Sequence, residues 1–223
     1  FLDLNLQFGD ASLFVSEHKP TSTLADLTHD IRRLDASLLT GSMMQISPSF
    51  SLLAAPEDPA QGLEVAPDHI EKIIALARSQ FDFVVIDVGR SLDAATLKAL
   101  DHADMLFPVL QLTLPYVRDG KRLLTIFNSL GYPKSKINLI VNRHEKGSQI
   151  TMEDLEQALG VRIFRTIPNH YTAVAASVNQ GMPITKLNRS SPVSKALIEL
   201  SHLLAQEPDR ESSGWLSRIF KRA

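Results

Sequence analysis

The chain of 223 residues is 44% hydrophobic and 22% charged, carries a formal net charge of -2 and contains no cysteine. That composition suits one sizeable globular domain with a real core, and it excludes disulfides and thiolate metal sites. The near-neutral balance supplies no general drive toward nucleic acid, and the longest apolar stretch, Met105 to Val117, is broken by Pro108, Gln111 and Pro115, so it cannot span a bilayer.

Phe1 to Asp10 reads as a hydrophobic strand running straight into an acidic, glycine-containing loop. In an α/β nucleotide-binding domain such a strand is normally the second. No G-x-x-x-x-G-K-[ST] pattern occurs in the chain, so the first strand and its phosphate-binding loop are expected upstream, in a longer polypeptide. From Pro67 to Ser79 the apolar residues Ile70, Ile73, Ile74 and Ala77 follow helical spacing, with Pro67 and Asp68 as first-turn residues. A β-branched run, Phe83 to Val88, then predicts a strand buried on both faces. Alternation continues: helix at about Ala94 to His102, strand over Met105 to Leu112, helix at Pro115 to Leu130, strand over Ile137 to Asn142. Helices follow at Thr151 to Leu159, opened by a capping-box pattern Thr151-x-x-Asp154, at Tyr171 to Gln180 and at Ser191 to Leu204. Strand-helix alternation of this kind predicts an α/β fold: a mainly parallel twisted sheet with helices on both faces. One domain is expected over residues 1–205, followed by a polar linker at 206–213 and a short amphipathic segment at 214–223.

Ligands of such sheets sit beyond the carboxyl ends of the strands. Residues at those ends are Asp3 with Asn5, Asp87, Gln111, Asn142 with Arg143, and Pro168 with Asn169. Asp87, closing an apolar run, has the Walker B arrangement, in which a carboxylate orders the water shell of a nucleotide-bound magnesium ion. A bland reading makes each of these a turn or capping residue. Other chemistries lack their signatures: there is no H-E-x-x-H, no G-x-S-x-G and no G-x-G-x-x-G. The pairs Arg32-Arg33 and Lys121-Arg122 read as solvated helix faces, and nucleic acid is not an expected partner.

The strings FLDLNLQFGD, DFVVIDVGRSLDAATLKALDHADMLFPVLQLTLPYVRDGKRLL, LGYPKSKINLIVNRHEKGSQITMEDLEQALG and IPNHYTAVAASVNQGMPI resemble the CpaE/TadZ family of pilus assembly proteins, within the MinD/ParA group of deviant Walker A, P-loop ATPases. The resemblance implies an ATP- and Mg-dependent homodimer that helps localise the tight adherence (Flp, type IVb) pilus machinery from the cytoplasm, at the inner face of the membrane or the cell pole. It implies Asp87 as the Mg carboxylate acting through water, Asn142 and Arg143 as neighbours of the adenine, and Pro168 and Asn169 as the loop whose backbone reads the base edge. Asp3 matches the first acid of the family's D-x-D pattern, a catalytic position. Asn5 departs from the second, where an Asp helps position the attacking water. An asparagine cannot act as a carboxylate base, so slow ATP hydrolysis is expected of the complete protein, and none of this chain alone. His170, where the family frequently has Asp, and Gly89, where it often has Pro, are milder departures. A non-catalytic scaffold of the same fold and a MinD/ParA-like regulator of division or partition remain the alternatives.

In the tail, Trp215, Leu216, Ile219 and Phe220 share one side of a helix while Arg218, Lys221 and Arg222 lie toward the other. That is the pattern of a peripheral membrane anchor and resembles the C-terminal targeting helix of MinD proteins. A segment folding back on the domain or docking a protein partner has the same pattern.

Overall fold

The computed structural model describes residues 1–206, and these divide into two units, Phe1–Leu106 with Ala175–Pro183, and Phe107–Val174 with the described residues from Ile184 on. The first unit opens with β1 (Leu2–Leu4) and a 3-10 turn (Ala11–Phe14), followed by α1 (Leu24–His29) and α2 (Ala36–Ser42). Then come β2 (Met44–Ser47), β3 (Phe50–Leu52), α3 (Pro59–Gly62), α4 (Pro67–Gln80), β4 (Ile86–Val88) and α5 (Ala94–His102).

Strands β1 and β4 are parallel neighbours with Leu2 opposite Ile86, Asp3 opposite Asp87 and Leu4 opposite Val88. Leu53 meets the other edge of β1, where the Asp3 N–H donates to the Leu53 carbonyl at 3.0 Å, and Ala54 bridges Thr23 at the start of α1. The helical spacing in α4 does what it predicts: Ile70, Ile73, Ile74 and Ala77 are all buried. They pack with Leu2, Leu4, Leu24, Leu27, Leu39 and Leu53 into one core, where each large aliphatic contributes about 1.5–3 kcal/mol. Helix α1 is short and depends on its cap, a reciprocal Thr23–Asp26 box.

In the second unit lie β5 (Val109–Leu110), α6 (Leu114–Ser129), β6 (Leu139–His144), α7 (Met152–Leu159) and β7 (Ile163–Pro168). Helices α8 (Tyr171–Asn179), α9 (Ile184–Leu187) and α10 (Pro192–Gln206) complete the described residues. The sheet is parallel, in the order β5-β6-β7. Alternation along β6 separates two cores: Leu139 and Val141 pack with Leu110 and Leu155, whereas Ile140 packs with Ile167, Ile184 and Val193. Helices α6 and α7 therefore cover one face and α9 and α10 the other, the layering that strand-helix alternation dictates. The Thr151–Asp154 capping box forms with both halves present, and Gly160 ends α7 in the left-handed conformation.

Two strands differ from the sequence expectation. The run from Phe83 yields a regular strand only from Ile86, with Phe83 62% and Val85 56% exposed. The run from Met105 yields only Val109–Leu110, with Val109 51% exposed. Among the described residues β4 pairs only with β1, and β5 only with β6. A strand with one unpaired edge lacks the second ladder that would hold its whole apolar run extended and covered.

Candidate functional site

The site in the first unit grows out of the Asp3–Asp87 pairing. Residues opposite each other on neighbouring strands project to the same face, which brings these two acids side by side at the carboxyl ends of β1 and β4. Asp3 is buried, at 1% exposure. Its Oδ1 accepts from the Asn5 N–H at 3.1 Å and its Oδ2 from the Ala11 N–H at 3.1 Å. One carboxylate thus pins both ends of the loop that carries Asn5 through Ala11. Asn5 adds a second tie, its Nδ2 donating to the Phe8 carbonyl at 2.8 Å.

Glycines make this loop possible. A Cβ on Gly9 would lie 2.3 Å from the Ala55 Cβ, 2.7 Å from the Asp3 Oδ2 and 2.8 Å from the Asn5 carbonyl oxygen, so no side chain fits. A Cβ on Gly89, just beyond β4, would lie 3.0 Å from the Asn5 Oδ1. The asparagine side chain therefore rests against a bare backbone, where a larger residue would displace it.

Around these groups lies a cavity of about 450 Å³, lined by Asn5, Asp10 and Asp87 on its polar part and by Phe1, Phe8, Phe14, Val15, Phe50 and Leu52 on its apolar part. No lysine or arginine is among its lining residues. Burial pushes the Asp3 carboxyl above the ordinary aspartate range; its two backbone hydrogen bonds pull the other way, and the nearby Asp87 and Asp10 charges raise it further. Loss of water also raises Asp87, although that residue as a whole remains exposed. Among the described residues, the Asp87 carboxylate has no hydrogen-bond or ion-pair partner, and no group of three or more His, Cys, Asp or Glu could hold a metal directly. Such a cluster is short of positive charge, and a cation held through water fits it.

Asn142, Arg143, Pro168 and Asn169 come together in the second unit, at the carboxyl ends of β6 and β7. Val141 pairs with Thr166 and His144 with Pro168, so Asn142 and Arg143 bulge out against a single residue. Arg143 takes φ +51, uncommon for a residue with a Cβ. The Asn142 Oδ1 supports it by accepting from the Arg143 N–H at 2.8 Å. Across the bulge the Asn169 N–H donates to the His144 carbonyl at 3.0 Å. Sequence reading missed Gly9 and Asp10; only the G-D dipeptide in an acidic loop hinted at them. Trp215, Leu216, Ile219 and Phe220 lie outside the described residues.

No protein-family model matches the chain. A solved ParA family ATPase from Chlorobium tepidum TLS is 30% identical, with TM-score 0.85 over 89% of this chain and 83% of that one. The chain belongs to the ParA family of ATPases. Its α/β fold with parallel strands is also that of the septum site-determining protein MinD complexed with Mg-ADP from Pyrococcus horikoshii OT3, with TM-score 0.76, 18% identity, and coverage of 96% and 83%. Septum site-determining protein MinD from Thermotoga maritima is 27% identical over 148 residues, 64% of this ParA family chain and 54% of the relative. The chain spans little more than half the length of the curated relatives it matches. Among the described residues no helix is long and apolar enough to cross a membrane.

Proposed function

We propose that this ParA family chain belongs to an ATP-binding, CpaE/TadZ-like protein that localises and helps assemble tight adherence pilus machinery. The observation that carries the nucleotide reading is the juxtaposition of Asp3, Asn5 and Asp87 at the carboxyl ends of two adjacent parallel strands, beside one cavity. The Pyrococcus horikoshii relative's Mg-ADP supports the ligand class. Asp87 holds the hydrated Mg²⁺; Asn142, Arg143, Pro168 and Asn169 border the base. Asp3 acts by fixing the loop that presents Asn5. The pilus assignment rests on the string-level resemblance alone.

Asn5 replaces a water-positioning carboxylate, so ATP is held longer than it is turned over. Bound ATP sustains a homodimer that presents pilus machinery partners with a fixed surface at the inner face of the membrane or the cell pole, with the Trp215 to Phe220 segment as peripheral contact. Steady-state ATPase assays on the protein made from its complete coding sequence test this. Asn5→Asp raises turnover at least tenfold, and equal turnover overturns the assignment of Asn5. Loss of surface pili on deletion, restored by the wild type and not by Asp87→Asn, tests the cellular role. A second reading, a MinD-like spatial regulator of division, is favoured by the curated relatives being septum site-determining proteins. It predicts normal pili and misplaced septa in the deletion strain.

A further inference from the structure

The turn after β7 is clamped from two sides by side chains with no role in the account above. On the β6 side, the Asn169 Nδ2 donates to the Glu145 Oε1, in addition to the backbone bond from the Asn169 N–H to the His144 carbonyl. On the α10 side, His170 Nδ1 lies 2.9 Å from the Ser191 Oγ. Ser191 is itself immobilised: it is 2% exposed, its N–H donates to the Asn188 Oδ1 at 3.1 Å, and its Oγ accepts from the Val193 N–H at 3.3 Å. The Ser191 hydroxyl can donate to or accept from His170 Nδ1, and in either sense the contact holds the imidazole against the start of α10.

We propose that Glu145 and Ser191 are positioning residues that, through Asn169 and His170, set the selectivity of the site among purine nucleotides. This rests on the reading that the ends of β6 and β7 border the base. Base edges differ only in the placement of donors and acceptors. A site discriminates between them when its own hydrogen-bonding groups are fixed, because the wrong base then leaves a polar group unpaired. Anchoring the Asn169–His170 turn to a bulged strand on one side and to a helix start on the other supplies that fixity. Phosphate and Mg contacts are the same for ATP and GTP, so the ratio of the two affinities isolates the base end.

The test is competition of ATP and of GTP against a fluorescent ADP analogue on the protein made from its complete coding sequence, with thermal melting of each variant alongside. Glu145→Ala lowers the preference for ATP over GTP by about five- to tenfold, the range expected for losing one hydrogen bond. Glu145→Gln, whose amide oxygen still accepts from Asn169, restores the wild-type ratio to within about twofold. Ser191→Ala lowers the ratio as well. Should it unfold the domain, the Glu145 pair decides alone, since Glu145 and Asn169 are exposed and their loss leaves the melting point in place. A wild-type ratio in Glu145→Ala overturns the proposal. Wild-type protein that binds neither nucleotide, or both equally, overturns it too; absence of binding in the wild type alone marks failure of the nucleotide reading itself.

Discussion

Replacing Asp3 with alanine tests whether this acid's first duty is to hold the loop from Asn5 to Ala11. The substitution orphans two backbone N–H groups, those of Asn5 and Ala11, each now 3.1 Å from a carboxylate oxygen. An unsatisfied buried donor costs about 1–3 kcal/mol, and partial solvent access places both near the lower end. The variant also removes a buried charge that burial, Asp87 and Asp10 disfavour, which returns part of the loss. A net destabilisation of about 1–2 kcal/mol follows. Urea unfolding followed by circular dichroism reads it as a lower midpoint at an unchanged slope. Hydrogen exchange localises it, with faster exchange at the Asn5 and Ala11 amides. A variant with the wild-type midpoint and wild-type protection at Ala11 refutes the loop-holding role.

Asp87 predicts the opposite sign: among the described residues its carboxyl has no hydrogen-bond partner, and its pKa is raised, so Asp87→Asn raises the urea midpoint at pH 7. A raised folded pKa means the unit binds the proton more tightly than the unfolded chain. Stability from Asp3 and Asp87 is therefore present below the ordinary aspartate pKa of about 4 and is lost as pH rises through their raised values. Glu71, held down by Lys98, and Asp154, held down by Thr151, act in the reverse direction at lower pH. The informative quantity is thus the difference between wild type and Asp87→Asn, which grows with pH over that window; a pH-independent difference contradicts it. Gly9→Ala places a Cβ against Ala55 and the Asn5 carbonyl and lowers the thermal midpoint by the equivalent of about 1–3 kcal/mol; an unchanged midpoint shows the loop can move aside. Arg143→Gly relieves the left-handed backbone and stabilises the fold by about 1 kcal/mol, measured by urea unfolding.

Long periodic segments were legible. Ile70, Ile73, Ile74 and Ala77 announced α4 because four apolar residues at helical spacing bury one face whatever surrounds them. Thr151 and Asp154 marked the start of α7 because a capping box is local chemistry. Between residues 11 and 66 no element was placed, since α1, α2 and α3 span 6, 7 and 4 residues, too few turns to show a period. Strand ends pointed to Asp3, Asp87, Asn142 and Asn169 through topology alone. What Asp3 does with its oxygens was hidden, because one partner lies eight residues further on. The Arg143 conformation likewise follows from the register of β6 against β7, a tertiary property with no signature in one sequence.

The most direct test of the nucleotide reading is the affinity for ATP with and without Mg²⁺, measured by titration calorimetry on the protein made from its complete coding sequence and on Asp87→Asn. The account predicts that Mg²⁺ tightens wild-type binding at least tenfold and that Asp87→Asn loses that gain while keeping the metal-free affinity. Equal Mg²⁺ dependence in the two proteins, or no ATP binding by the wild type, contradicts it.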